Sequence, residues 1–162
     1  MLPFLLGIQT KAMPLHRRLP HLRPFANQPI VFLTVVTLNR RRCLDNASAF
    51  EVLAEIWRRS AKVDGWHVGD FLLMPDHVHL FARATHDARP MAKWIGSWKS
   101  ISTRRLKLGS PLWQRDYFDR FLRSADDYSE KWEYVANNPV RQSLCARPSD
   151  WPWRERLYDL RW

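Results

Sequence analysis

Two apolar segments joined by a very short turn constrain the fold of this chain more than any other sequence feature. Trp66–Leu73 and His77–Thr85 are rich in β-branched and aromatic residues, and Pro75-Asp76 between them is a tight-turn sequence. Segments of this kind pair as the two strands of a β-hairpin. Ile30–Asn39 has a similar composition and predicts a further strand, buried on at least one face. The sequence therefore predicts an antiparallel sheet at the centre of the fold.

Three helices and a fourth strand are predicted around this hairpin. Apolar residues recur with helical spacing in two segments, and a capping serine followed by aspartates starts a third helix. The predicted helices run from Asp45 or Asn46 to about Val63, from Pro90 to about Leu108, and from Ser124 to a point before Pro139; the predicted strand is Phe118–Arg123. The order of elements matches the split β-α-β pattern, so we expect an α+β, ferredoxin-like fold with helices packed on one antiparallel sheet.

The chain has 162 residues, which suits one domain with its own hydrophobic core. We expect this domain to occupy residues 29–147. Residues 1–28 are rich in Pro, Arg and His and predict a basic arm outside the core, with a composition compatible with disorder. Residues 148–162 predict an aromatic, basic and irregular tail.

Two further features concern the cellular location. No apolar run approaches the roughly 20 residues that cross a bilayer, so no membrane partner is expected. Cys43 and Cys145 form no CxxC pair, so neither a zinc site nor a disulfide framework is indicated. Free cysteines are typical of reducing compartments, and we therefore expect a cytoplasmic protein.

The charge of the chain favours a polyanionic partner. Lys and Arg total 26 against 16 Asp and Glu, a formal net charge of +10, and nine Trp offer rings on which unpaired bases could stack. The candidate DNA-binding residues are Arg40, Arg41, Arg42, Lys93, Lys99, Arg104, Arg105, Lys107, Trp113, Gln114 and Arg115. A solvated surface explains any single cation equally well, and Trp113 could instead belong to the core.

His77-Val78-His79 is the most informative tripeptide. Side chains alternate along a strand, so His77 and His79 project from the same face of the sheet and could hold one divalent cation. On its own the motif is a weak signal, because two such histidines are more often ordinary surface or core residues. His67 on the neighbouring strand could touch the same site or be a core histidine. Asp76 could orient an imidazole, although the turn explains it equally well.

The third helix offers a further ligand and a nucleophile. Tyr134 and Asn138 are four residues apart and share a helix face. The simpler alternative is a tyrosine that packs on the core and an asparagine that ends the helix. Combined with the histidine pair, however, they predict a reaction centre in which a bound cation polarises a phosphodiester and the phenol attacks phosphorus. Two nitrogens plus oxygen ligands suit Mg²⁺ or Mn²⁺ better than a thiolate site would. Tyr128 is the second candidate for the nucleophile, with a core role as its alternative.

Three segments resemble the signatures of a known enzyme family. MPDHVHLF at 74–81, LWQRDYFDRFLRSADDY at 112–128 and YVANNPVRQSL at 134–144 are similar to motifs of the IS200-like, single-tyrosine HUH transposases, and most similar to the REP-associated tyrosine transposases. The resemblance implies that His77, His79 and Asn138 bind Mg²⁺ or Mn²⁺ and that Tyr134 is the catalytic tyrosine. It also implies cleavage of single-stranded DNA beside hairpins, through a 5′-phosphotyrosine and without a nucleotide cofactor.

The resemblance leaves three questions open. IS200-like relatives act as dimers with exchanged tyrosine helices, whereas the REP-associated kind can act as monomers, so the chain is expected to be a monomer or a homodimer. A domesticated, catalytically silent protein that binds hairpin DNA is the main alternative function. A replication initiator or relaxase would share the chemistry, but such proteins are usually larger, often with three histidines or a second tyrosine.

Overall fold

The computed structural model describes residues 28–160 and has a five-stranded antiparallel sheet at its centre. The strand order is β4-β1-β3-β2-β5. The elements are β1 Ile30–Val36, α1 Ala47–Val63, β2 Trp66–Leu73, β3 His77–Ala84, α2 Met91–Leu106, β4 Phe118–Phe121, α3 Ala125–Ala136, α4 Asn138–Arg141 and β5 Arg154–Arg156. The predicted α+β fold with helices packed on an antiparallel sheet is confirmed. The predicted arm, apart from residue 28, and the last two residues of the predicted tail lie outside the described residues.

The sheet separates two hydrophobic layers, because successive side chains of each strand point to opposite faces. Val78 and Leu80 of β3 belong to the larger core, which they share with buried residues of α1 and α2. Phe81 lies on the other face, where it packs with Phe32 and with Val135 of α3. The helix that carries the candidate nucleophile is therefore on the face opposite α1 and α2.

The helix starts follow the capping chemistry expected from the sequence. The Asn46 side chain accepts a hydrogen bond from the Ala49 amide at 3.0 Å, which satisfies one of the unpaired donors at the start of α1. Ser124 accepts in the same way from the Asp127 amide at 3.1 Å and begins α3. Both predicted helix starts are confirmed to within a residue.

Three predicted boundaries are wrong. β4 ends at Phe121 and not at Arg123. β1 ends at Val36, because Thr37 and Leu38 bond to the backbone of other loops and Asn39 turns into a left-handed conformation with φ of 56°. Asn138 is the first residue of α4 and does not lie in the last turn of α3. Pro139 has no amide hydrogen to continue the ladder of α3, but it is tolerated in the first turn of the new helix.

The predicted irregular tail is also wrong in part. Arg154–Arg156 forms β5 and pairs with β2 in antiparallel register. Trp151 is buried just before this strand and donates its indole N–H to the Leu73 carbonyl at 2.8 Å. Three residues of alternating charge carry none of the apolar pattern by which strands are recognised, so this edge strand was not predicted.

A buried carboxylate connects β2, β5 and α3. The side chain of Asp70 is 6% exposed and accepts hydrogen bonds from Arg156 at 2.9 to 3.2 Å. It also accepts a hydrogen bond from the Tyr128 hydroxyl, and the Tyr128 ring packs on Phe81 with ring centroids 4.5 Å apart. Burial, together with the Asp70 carboxylate, raises the pKa of the Tyr128 phenol well above its usual range. The cluster fixes α3 on the sheet of its own chain.

We expect Asp70→Ala to lower the free energy of unfolding by about 3 kcal/mol, because it leaves a phenol and a guanidinium without their partner. Glu155→Ala is the matched control, since Glu155 faces the adjacent residue of β2 and pairs with Arg58 at a half-exposed position. Its loss should cost less than about 1 kcal/mol. Urea unfolding measures both, and equal losses in the two variants would contradict the anchoring role of Asp70.

Candidate active site

His77 and His79 form the centre of the site on the α3 face of β3. Both are 8% exposed, and their Nε2 atoms lie 3.1 Å apart. Val78 between them points into the opposite core. The predicted alternation of side chains therefore brings two ring nitrogens next to each other on the same face of the sheet.

The outer nitrogen of each imidazole is held by a second residue. Nδ1 of His77 is 2.6 Å from the Asp76 carboxylate, and Nδ1 of His79 is 2.8 Å from the Thr34 hydroxyl. When Nδ1 carries the proton and donates to such a partner, the Nε2 lone pair is available to a ligand. Asp76 thus orients an imidazole in addition to forming the turn. Thr34 was not predicted, because its role depends on the register that places it opposite His79.

The surroundings favour the uncharged form of both imidazoles. Burial, with a contribution from His77, lowers the pKa of His79 from 6.5 to about 3. Burial also lowers the pKa of His77, although Asp76 partly opposes the effect. Burial raises the pKa of Asp76, but the hydrogen bonds from His77 and Arg40 outweigh it and leave that pKa below its usual value. Neutral imidazoles beside a carboxylate can accept a cation without first losing a proton.

Asn138 joins this pair from α4. Its amide nitrogen lies 2.9 Å from Nε2 of His79, and its amide oxygen accepts a hydrogen bond of 2.7 Å from Arg141. Asn138 therefore lies beside His79, the second histidine of the pair. Its role as a metal ligand stays a prediction.

Tyr134 lies on the same face as the histidines and is 59% exposed. The Arg141 guanidinium is 4.0 Å from the centroid of its ring, and the Lys131 ammonium is 5.6 Å from it. Lys131 is also 5.4 Å from the ring of Phe32, which stacks on His79 with centroids 5.5 Å apart. These contacts connect the phenol to the histidine pair through a short chain of neighbours.

The other three tyrosines are engaged elsewhere. Tyr128 is hydrogen-bonded to Asp70, so its alternative core role is confirmed. Tyr158 donates to the Arg58 carbonyl at 3.2 Å, and the Tyr117 ring lies 5.4 Å from the Lys99 ammonium. Tyr134, in contrast, is connected to the histidine pair through Arg141 and Asn138.

The predicted DNA-binding residues divide into two groups. Arg40 reaches the site, where it pairs with Asp76 at 3.2 Å, whereas Arg41 donates to the Leu108 carbonyl near the end of α2. The helix α2 packs on the opposite face of the sheet, so its cations do not line the histidine site. The second group of predicted DNA-binding cations is therefore on this opposite face. It comprises Lys93, Lys99, Arg104 and Arg105 of α2 and Lys107 directly after the helix. Arg42 is exposed, and the DNA contacts of both groups stay predictions.

The segment at 113–115 corrects one of these expectations. Trp113 is 4% exposed, donates to the Ser102 hydroxyl at 2.9 Å and packs against Trp98, so it cannot serve as a platform for a base. The Lys99 ammonium donates to the Gln114 and Arg115 carbonyls at 2.9 and 3.1 Å, and burial lowers the pKa of Lys99 to about 8. Lys99 therefore fixes this loop, which borders an open cavity of about 430 Å³.

Three basic or aromatic residues near the site were missed from the sequence. Lys131 and Arg141 flank the ring of Tyr134, and Phe118 of β4 is 43% exposed beside Phe32. Helical spacing could have indicated Lys131, which is three residues before Tyr134. His67, in contrast, lies against Tyr158 and pairs with Arg83, away from the histidine pair.

The donor set fits a divalent cation. The two Nε2 atoms lie 3.1 Å apart, so both could contact one ion bound beside them. Among residues 28–160 no group of three His, Cys, Asp or Glu is suited to hold a metal. The amide of Asn138 is therefore the candidate third ligand, and its carbonyl oxygen is the kind of donor that suits Mg²⁺ or Mn²⁺.

Comparison with known proteins identifies the family of the chain. Residues 28–138 match the family model of IS200-like transposases. The chain belongs to the IS200-like transposase family. The predicted resemblance and the predicted class of enzyme, a DNA transposase, are confirmed at the level of this family. Within residues 28–160, no helix of this transposase is both long and apolar enough to span a membrane.

Individual relatives are similar over most of the chain. A Haemophilus influenzae protein named as a REP-associated tyrosine transposase is 22% identical and covers 86% of each chain. The REP-associated tyrosine transposase of Escherichia coli K12 is 24% identical over 75% of this chain and 73% of its own.

Solved structures show the same fold. A REP-associated tyrosine transposase bound to a REP hairpin has a TM-score of 0.70 and 21% identity, covering 83% of this chain and 81% of that one. A Deinococcus radiodurans protein described as a transposase has a TM-score of 0.51 and 22% identity, covering 74% and 97%.

The low pKa of His79 makes stability depend on pH. The unfolded chain protonates this imidazole near pH 6.5 and the folded chain near pH 3, so the unfolded state binds more protons between these values. Acidification from pH 7.5 to 5.5 should therefore lower the free energy of unfolding by about 1 kcal/mol through His79. Urea unfolding at the two pH values measures this, and His79→Asn should reduce the difference. An unchanged difference in the variant would contradict the effect.

Proposed function

We propose that this transposase is a metal-dependent nuclease and strand transferase for single-stranded DNA, acting through a 5′-phosphotyrosine on Tyr134. The observation that supports this most directly is the convergence of four groups on one face of the sheet. Nε2 atoms of His77 and His79 lie 3.1 Å apart, Asn138 is 2.9 Å from the second of them, and Tyr134 is joined to Asn138 through Arg141. A protein that only binds DNA needs no such arrangement.

His77, His79 and Asn138 would hold Mg²⁺ or Mn²⁺, which supplies Lewis-acid polarisation of the scissile phosphodiester. Tyr134 performs the bond exchange: its hydroxyl oxygen forms a bond to phosphorus, and the bond between phosphorus and the 3′ oxygen breaks. The phenolic proton passes to solvent, and the 3′ oxygen takes a proton from solvent to become a hydroxyl. One phosphodiester replaces another, so no nucleotide is consumed and a 3′-hydroxyl can reverse the reaction.

The cations around the site support a DNA substrate. Lys131 and Arg141 lie within 6 Å of the centroid of the Tyr134 ring, and Arg40 pairs with Asp76, the residue that holds His77. Fixed positive charge beside the attacked phosphate stabilises the charge that develops there. The similar REP-associated transposase was solved with a REP hairpin, which supports hairpin DNA with a single-stranded flank as the substrate.

The anchoring of α3 favours a monomer over a homodimer. Tyr128 bonds to Asp70 of its own chain, and Trp132 packs against Phe81 with centroids 6.0 Å apart. This anchoring supports a Tyr134 that acts at the site of its own chain, without an exchange of helices. DNA as the substrate and two free cysteines support a cytoplasmic location.

Tyr134→Phe should abolish covalent attachment to DNA, with a loss of at least about a thousandfold in rate. The measurement incubates the full chain with Mn²⁺ and a hairpin carrying a single-stranded flank, and detects an adduct that survives denaturation. Tyr158→Phe is the matched control and should retain the adduct, because Tyr158 bonds to Arg58 away from the site. An adduct in Tyr134→Phe would refute the nucleophile. No adduct in the wild type would favour the catalytically silent hairpin-binding protein.

Phe118→Ala should weaken binding of single-stranded DNA by about fivefold or more, because stacking of one base contributes roughly 1–3 kcal/mol. Phe118 pairs with Thr34 and lies on the site face. Phe121 is an ideal control: it is 45% exposed on the same strand, but it pairs with Val31 and faces the other side. Fluorescence anisotropy with Tyr134→Phe as the background separates binding from cleavage. Equal losses in Phe118→Ala and Phe121→Ala would contradict base stacking at the site.

A further inference from the structure

Arg141 connects the proposed nucleophile to the proposed third ligand. One guanidinium nitrogen donates to the Tyr134 carbonyl at 2.8 Å and to the Asn138 amide oxygen at 2.7 Å. The same guanidinium lies over the Tyr134 ring, 4.0 Å from its centroid. An arginine that is merely solvated would not make three contacts to the two proposed functional residues beside it.

These contacts have a consequence for Asn138. Its amide nitrogen faces Nε2 of His79, whereas its oxygen is engaged by Arg141. A side-chain amide ligates Mg²⁺ or Mn²⁺ through its oxygen, so the amide has to turn over to present that oxygen beside His79. After this rotation the amide NH₂ would face the guanidinium. Both groups are donors and cannot bond to each other.

We propose that Arg141 is a positioning residue that competes with the metal ion for the amide oxygen of Asn138. Metal binding then breaks the bond between Arg141 and Asn138, while Arg141 stays beside Tyr134 with donors available for the scissile phosphate. This inference rests on the proposed function, since it assumes a cation at the histidine pair. It adds a coupling between occupation of that site and the arginine beside the nucleophile.

The test is a titration of the full chain with Mn²⁺ alone, followed by the electron paramagnetic resonance signal of the unbound ion. Arg141→Gln should bind Mn²⁺ about tenfold more tightly, because the ion no longer displaces a charge-assisted hydrogen bond. The same variant should form the covalent DNA adduct more slowly, because it lacks the guanidinium beside the phosphate. A damaged fold would weaken both properties, so tighter binding with slower cleavage is specific to this role.

Lys131→Gln is the matched control for charge. Lys131 also contributes positive charge at His79, but it contacts the rings of Phe32 and Tyr134. Its removal should tighten Mn²⁺ binding less than about threefold, an effect of charge alone in water-exposed surroundings. Equal tightening in Arg141→Gln and Lys131→Gln, or weaker binding in Arg141→Gln, would overturn the competition. A wild type that binds no Mn²⁺ would instead overturn the proposed metal dependence, and the competition with it.

Discussion

The distance between two imidazole nitrogens is the constraint on which the rest of this site depends. His77 and His79 leave one strand on the same face, and this brings their Nε2 atoms to 3.1 Å. The carboxylate of Asp76 and the hydroxyl of Thr34 bind the outer nitrogens and so fix both ring orientations. Burial keeps the rings uncharged, which removes the repulsion that two imidazolium ions would have at this distance. These two neighbouring nitrogens are the basis of the proposed cation site, which Asn138 completes once its amide oxygen turns towards them.

The two faces of the sheet have different roles. One face carries the large core with α1 and α2, which gives stability, and the other carries the histidines and α3. Because α3 is fixed to its own sheet by Tyr128 and Asp70, the more exposed Tyr134 further along the helix is held near the histidines without being buried itself. The proposed attack of this phenol on a phosphate from solution would benefit from the combination of a fixed helix and an accessible ring.

Much of this could be predicted from local sequence. The strand Trp66–Leu73 has the predicted bounds, and strand alternation placed His77 correctly, because both depend on short-range periodicity. Features that depend on long-range pairing could not be predicted. Thr34 acquires its role through the register between β1 and β3, and Arg154–Arg156 becomes a strand only against β2. The contacts of Arg141 could not be predicted for a related reason, because they depend on the start of a new helix at Asn138 and Pro139.

A crystal of the full chain grown with Mn²⁺ tests the central claim most directly, by anomalous scattering of the manganese. The account predicts one strong anomalous peak within bonding distance of the Nε2 atoms of both His77 and His79, with the Asn138 oxygen turned towards it. A manganese peak elsewhere, with the two histidines bound to nothing but each other and Asn138, would contradict the account.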